Sequence, residues 1–139
     1  MCFIGHLLEY QAQFFGKEVH EWGIDNLTAT KEGQDAVQEA IEFLRNQEPM
    51  QKLTWSEDIR KAARDHANDC GPKGLIGTVG SDGSELPERL KRYGNVELGM
   101  GQSNIFGKEN ALKICIDLLI CDGDVARTNR HNLFNTVYN

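Results

Sequence analysis

Between Gln34 and Gln47 the apolar side chains Val37, Ala40, Ile41 and Leu44 recur at i, i+3, i+4 and i+7, and Pro49 stops the pattern. That spacing predicts a helix with one face turned to a core. A second helix is marked at both ends. Thr54 followed by Glu57 reads as a capping box, Ile59, Ala62, Ala63, His66, Ala67 and Cys70 trace one face, and Gly71-Pro72 ends it. A Gly-rich loop from Gly74 to Gly83 leads into a short helix from Ser84, with Leu86, Leu90 and Tyr93 on one side and Gly94 closing it. Alternating Val96, Leu98 and Met100 predict a short strand. From Asn110 to Cys121 the run ALKICIDLLIC is apolar nearly all round, as in a helix sandwiched inside a core, and Asp122-Gly123 stops it. The last sixteen residues hold little hydrophobic periodicity.

The first thirty residues stand apart. Ile4, Leu7, Leu8, Phe14 and Phe15 recur at helical spacing and predict an amphipathic helix over residues 3–16, whose stripe covers either this domain or another protein. These five are the partner-binding candidates. Gly23 to Thr30 reads as a linker, with Asn26-Leu27-Thr28 a glycosylation pattern relevant only to an exported chain. The organisation expected is an arm and linker over residues 1–30 and one domain over 31–139.

Composition narrows the functional classes. With 139 residues the chain has room for one domain of ordinary size, which excludes a two-domain enzyme. Fifteen basic residues against 21 acidic ones give a net charge of −6, and no block of Lys/Arg supplies the clustered positive charge that reading a nucleic-acid backbone needs. No apolar run approaches the roughly 20 residues that cross a bilayer. His6 and Glu9 interrupt the start where a signal peptide would be unbroken, so an intracellular location is expected. The four cysteines form no CxxC pair, and reduced, mostly buried thiols are expected.

Four constellations invite chemistry, and each has a plainer explanation. His66 and Cys70 stand four apart on one helix face, a spacing open to a zinc ion given two further ligands, but their stripe is otherwise Ile and Ala and favours core packing. Gly80 to Ser84 matches neither a hydrolase elbow nor a phosphate loop and reads as a turn ending in a Ser84 helix cap. Gly99-Met100-Gly101 lacks the third glycine of a dinucleotide site. Arg127, Arg130 and His131 form a basic cluster after Asp122 and Asp124, read as local ion pairing on a solvated loop.

From about Ala36 to Tyr138 the order of motifs resembles the CAP superfamily of sperm-coating, venom-antigen and pathogenesis-related domains, in its bacterial and protist branch. Leu53-Thr54-Trp55-Ser56 and Ala62-Ala63-Arg64-Asp65-His66 resemble that branch's Leu-x-Trp-Ser/Asp and Ala-Ala-x-x-His stretches. Gly77 to Ser84 is similar to its Gly-His-x-Gly-Ser-Asp-Gly-Ser loop, and Arg89 to Gly94 to an Arg-x-x-x-Tyr-Gly helix end. Gln102 to Gly107 resembles a Glu-Asn-Ile-x-Phe-Gly element, while Leu118 to Gly123 and Arg127 to Phe134 resemble the last motif. The resemblance implies an α+β fold, a three-layer α-β-α sandwich that is helix-rich, here with an incomplete sheet because the chain stops soon after Phe134.

In the family, two histidines and acidic residues line a cleft that can hold a divalent cation. The corresponding positions here are Thr78, Gln102 and Asn129, with Asp117 standing for the remaining acid. Hydroxyl and amide groups are poor zinc ligands, so the resemblance implies a degenerate cleft with no catalysis, metal or cofactor. The reading is a structural or protein-interaction subunit of a larger intracellular assembly, a ciliary or organellar complex of a protist being one such setting. The alternative is a lipid, sterol or other small-molecule binding module, which requires an open apolar groove around Leu112, Ile116 and Leu119.

Overall fold

A computed structural model of the chain describes residues 3–21, 27–94, 99–108 and 110–138. Among them are six helices and one open three-stranded antiparallel sheet, an α+β arrangement rich in helix. The chain divides into two compact units, Met1–Pro49 with Gly107–Leu133, and Met50–Phe106 with Phe134–Asn139.

The first unit holds α1 (Phe3–Gln11), β1 (Phe14–Phe15), β2 (Glu18–His20), β3 (Leu27–Ala29), α2 (Gln34–Asn46), α5 (Ala111–Ile120) and α6 (Thr128–Leu133). The helix expected over residues 3–16 stops at Gln11. Gly16 then adopts φ 63° in the two-residue turn that pairs Phe14 with Val19, a conformation that suits a residue without Cβ. Part of the expected linker is β3, which pairs Thr28 with Val19, while Asn26 lies outside the described residues. Leu7, Tyr10, Phe14 and Val19 enter the same core as Ala36, Val37, Ile41, Ile116 and Ile120, and α1 packs on both α2 and α5. The N-terminal stripe therefore covers this domain. Tyr10 and Phe14 meet edge to face at 5.5 Å.

Polar links tie the start of α2 to the turn after α5. The Asp122 carboxylate accepts from Lys31 N at 2.7 Å and Glu32 N at 2.8 Å, and Gly123 N donates back to Glu32 at 3.1 Å. Cys121 ends α5 in the left-handed region at φ 54°. The tail that showed little periodicity contains α6, opened by the Asp124 carboxylate, which accepts from Ala126 N and Thr128 N. A six-residue helix is too short to display a repeat, and its signal is this acid at its start.

The second unit is built on α3 (Glu57–Cys70) and α4 (Leu86–Lys91), which pack together. α3 is capped by Ser56, whose hydroxyl accepts from Ile59 N at 3.4 Å, and not by Thr54. In the same way α4 is capped not by Ser84 but by Glu85, in a reciprocal capping box with Glu88. Each expected cap falls one or two residues early, because several adjacent hydroxyls and acids satisfy the same pattern. Of the strand expected over Val96–Met100, Val96 and Leu98 lie outside the described residues.

Candidate functional site

The polar centre of the second unit is Arg89. Leu86, Arg89, Leu90 and Tyr93 share the i, i+3, i+4, i+7 stripe of α4, so the arginine is carried inward with the leucines and is 2% exposed. Its Nη1 donates to Ser84 O at 2.6 Å, and its Nη2 donates to Thr78 O at 2.9 Å and to Gln102 Oε1 at 2.6 Å. Gln102 passes the chain on: its amide donates to Asn104 Oδ1 at 2.9 Å, and Asn104 donates to Gly77 O at 2.9 Å. That carbonyl also lies 3.0 Å from His66 Nε2. A carbonyl only accepts, so Nε2 carries the proton and Nδ1 is left to accept from the Cys70 thiol at 3.6 Å. His66 and Cys70 are buried, as their apolar stripe suggested. No group of three or more His, Cys, Asp or Glu side chains converges as a metal site among the described residues.

Beside this network lies a cavity of about 350 Å³. Asp65, His66 and Asp69 of α3 line it on one side, Arg89 and Arg92 on the other, with Asp82 from the intervening loop. Asp69 binds Lys73 and accepts from the Ser81 amide and hydroxyl, and these bonds hold its carboxyl well below the usual range. Asp82 accepts from Ser84 and pairs with Arg92 at 2.9 Å, which brings it down to about 2. Asp65 accepts from the Tyr93 hydroxyl at 2.6 Å, and that bond raises the phenol. Gly80 threads this cluster so tightly that a Cβ there would stand 2.8 Å from both Asp82 Oδ1 and Ser84 Oγ.

Thr78 and Gln102 are thus brought together by Arg89, Thr78 through its main-chain carbonyl while its side chain is exposed. Asn129 and Asp117 belong to the first unit, where Asn129 is half-buried on α6. Asp117 pairs with the buried Lys113, which also meets Glu21 at 3.3 Å and lies 4.9 Å from the Tyr10 ring centre. Burial pushes Glu21 up, but hydrogen bonds and charge from Lys108 and Lys113 outweigh it and leave the carboxyl below its ordinary value.

The basic cluster is not a solvated loop paired with Asp122 and Asp124. Arg127 reaches Glu32 at 2.5 Å and Glu39 at 2.6 Å, and Arg130, 2% exposed, joins Glu39 at 2.8 Å. Buried guanidiniums need acceptors, and acids 88 to 95 residues earlier supply them, a pairing that sequence distance conceals. Among the partner-binding candidates, Leu7 and Phe14 are buried in the core and Ile4 packs against it, which leaves Leu8 and Phe15 exposed. Ile116 and Leu119 are likewise buried and Leu112 packs on the core. No helix among the described residues is long and apolar enough to cross a membrane.

Comparison with protein families matches the chain to the model described as "CAP: Cysteine-rich secretory protein family" over residues 38–139. No curated protein and no solved structure matches the chain.

Proposed function

The chain belongs to the CAP, cysteine-rich secretory protein, family, and from that premise we propose that it works without catalysis, as a structural or protein-interaction domain of a larger intracellular assembly. The observation that carries this reading is the commitment of Gln102. Both polar atoms of its side chain are used internally, the oxygen by Arg89 and the nitrogen by Asn104. A permanent guanidinium charge therefore sits against one of the positions that the family resemblance assigns to cation binding, and Thr78 offers only a hydroxyl. These residues do not fit a divalent ion, because a fixed positive charge and neutral amide oxygens oppose what zinc requires. Leu8 and Phe15, exposed beside a core that their neighbours fill, are the side chains left for a partner. A protist ciliary or organellar complex is the setting that the resemblance favours.

Two measurements on the full chain test the proposal. Calorimetric titration with zinc chloride is expected to show no saturable site, and a stoichiometric site abolished by Gln102→Ala would overturn the non-catalytic reading. Native size fractionation of cell extract is expected to place the chain in a large complex, which Leu8→Ser/Phe15→Ser releases. A chain that elutes alone in extract would refute the subunit role.

A further inference from the structure

The sheet of the first unit ends in an edge whose hydrogen-bonding groups are unused. Thr30 N donates to Lys17 O at 2.8 Å, and the antiparallel register carries that bonded pairing on to Thr28 and Val19. Leu27 and Ala29 stand at the alternate, non-bonded positions, so their N–H and C=O groups turn away from β2. None of these four groups has a hydrogen-bond partner among the described residues, and both residues are exposed. The opposite edge offers less, because β1 has two residues and Phe14, whose main-chain groups turn outward there, is buried. An open-sided cavity of about 120 Å³ runs along residues 28–30. Three carboxylates border it, Glu21, Asp117 and Asp122, against two ammonium groups, Lys108 and Lys113. The lysines hold Glu21 and Asp117, whereas Asp122 accepts only main-chain amides among the described residues.

We propose that the β3 edge receives an extended segment of a partner protein as a fourth, antiparallel strand, with an apolar–basic–apolar run laid against Leu27–Ala29. Residues opposite Leu27 and Ala29 would take up all four unused main-chain groups, the mode by which a strand joins a sheet edge. Side chains alternate along a strand, so the residue opposite Thr28 shares its face. Thr28 lies in the row of the buried Phe14 and Val19 and lines the cavity, which the central side chain of the segment therefore enters. A Lys or Arg there supplies the cation that Asp122 lacks and evens the charge count. Its two neighbours fall on the outer face, one beside the exposed Leu27 and one in the row of Phe15 and Ala29, which favours apolar residues. The cavity is well under the roughly 300–1,000 Å³ of small-molecule sites and on the scale of one side chain. A second copy of this chain fits less well, since β3 paired antiparallel with itself sets Thr28 opposite Thr28 and brings no cation. The inference deepens the protein-interaction reading, on which it rests, by naming the form of the partner.

The experiment is fluorescence polarisation of labelled five-residue peptides, Thr-x-Lys-x-Thr with Val, Ile or Tyr at x and blocked ends, titrated with the full chain up to millimolar concentration. At least one is expected to bind, and its counterpart with Gln in place of Lys to bind at least about tenfold more weakly. N-methylation of either x residue, whose N–H donates to the edge, is expected to weaken binding about tenfold, and N-methylation of the lysine, whose N–H points away, much less. Ala29→Pro removes an N–H that the fold does not use and is expected to abolish binding with the melting curve kept. The methylated peptides probe the same bonds on unaltered protein, so the outcome does not depend on that variant folding. No binding by any peptide, a Gln peptide as tight as its Lys parent, loss only on methylating the lysine, or full affinity in a folded Ala29→Pro protein would each overturn the proposal. Self-association that Ala29→Pro abolishes, without peptide binding, would give the edge to a second copy and overturn it too. Purified components make this readout separate from the size of the complex in extract, whose absence refutes the subunit role and not the edge.

Discussion

Replacing Arg130 by alanine is expected to destabilise the first unit by about 3 kcal/mol, most of it through helix-end carbonyls and not through the ion pair. The guanidinium is 2% exposed; its Nε donates to Leu119 O at 2.5 Å and its Nη2 to Ile120 O at 3.1 Å, both at the last turn of α5. Removing it strands two carbonyls in a buried setting, at about 1 kcal/mol or somewhat more each. It also forfeits the contact with the Phe43 ring, 5.4 Å away, where a cation–π interaction is worth about 0.5–1 kcal/mol. Glu39, the ionic partner, is 48% exposed on its side chain, so water screens the pair and its loss adds less than about 1 kcal/mol. Glu39→Gln is therefore expected to be mild where Arg130→Ala is severe. Urea unfolding followed by circular dichroism, with the slope held constant, measures both. Equal losses in the two variants, or a loss under about 1 kcal/mol for Arg130→Ala, would show that the carbonyl contacts do not carry the stability assigned to them.

Acid should weaken the fold in a defined window: Glu21, Glu32 and Glu39 all titrate below their unfolded value of 4.5, so the unfolded chain binds more protons there and stability falls as pH drops below about 4.5. Denaturation midpoints against pH would show this, with a shallower fall in Glu21→Gln. Ser56→Ala is expected to cost about 0.5–1 kcal/mol and Thr54→Ala almost nothing, since only Ser56 caps α3; comparable losses would restore the cap expected from sequence. Gly80→Ala is expected to lower stability by about 1–2 kcal/mol, because the new methyl would press on Asp82 and Ser84 at 2.8 Å, and a melting temperature equal to the parent's would contradict that packing.

Legibility from sequence followed the length and regularity of each element. α2 was readable because four apolar positions repeat over two turns with no competing signal, and α5 because its polar positions are too few to leave a solvent face. The arm misled because Phe14 and Phe15 continue the helical spacing of Leu7 and Leu8 while belonging to a two-residue strand, a length at which periods of 2 and 3.6 cannot be told apart. Arg89 was missed as the hub of the candidate site although it lies on the apolar stripe of α4; an arginine on such a stripe is the signal that could have found it. The pairing of Arg127 and Arg130 with Glu32 and Glu39 had no local signal at all, since the partners are separated by 88 to 95 residues.

The division of the first unit into two sequence segments sets an order for folding on the ribosome. Residues 50–106 form nearly all of the second unit without interruption and can close as soon as they emerge. The helix and hairpin at the N-terminus, synthesised first, must wait for α5 and α6 before Ile116, Ile120 and the Arg130 guanidinium complete their surroundings. Until then Leu7, Phe14 and Val37 lack the α5 side of their core, so this segment is fully sheltered later than the second unit.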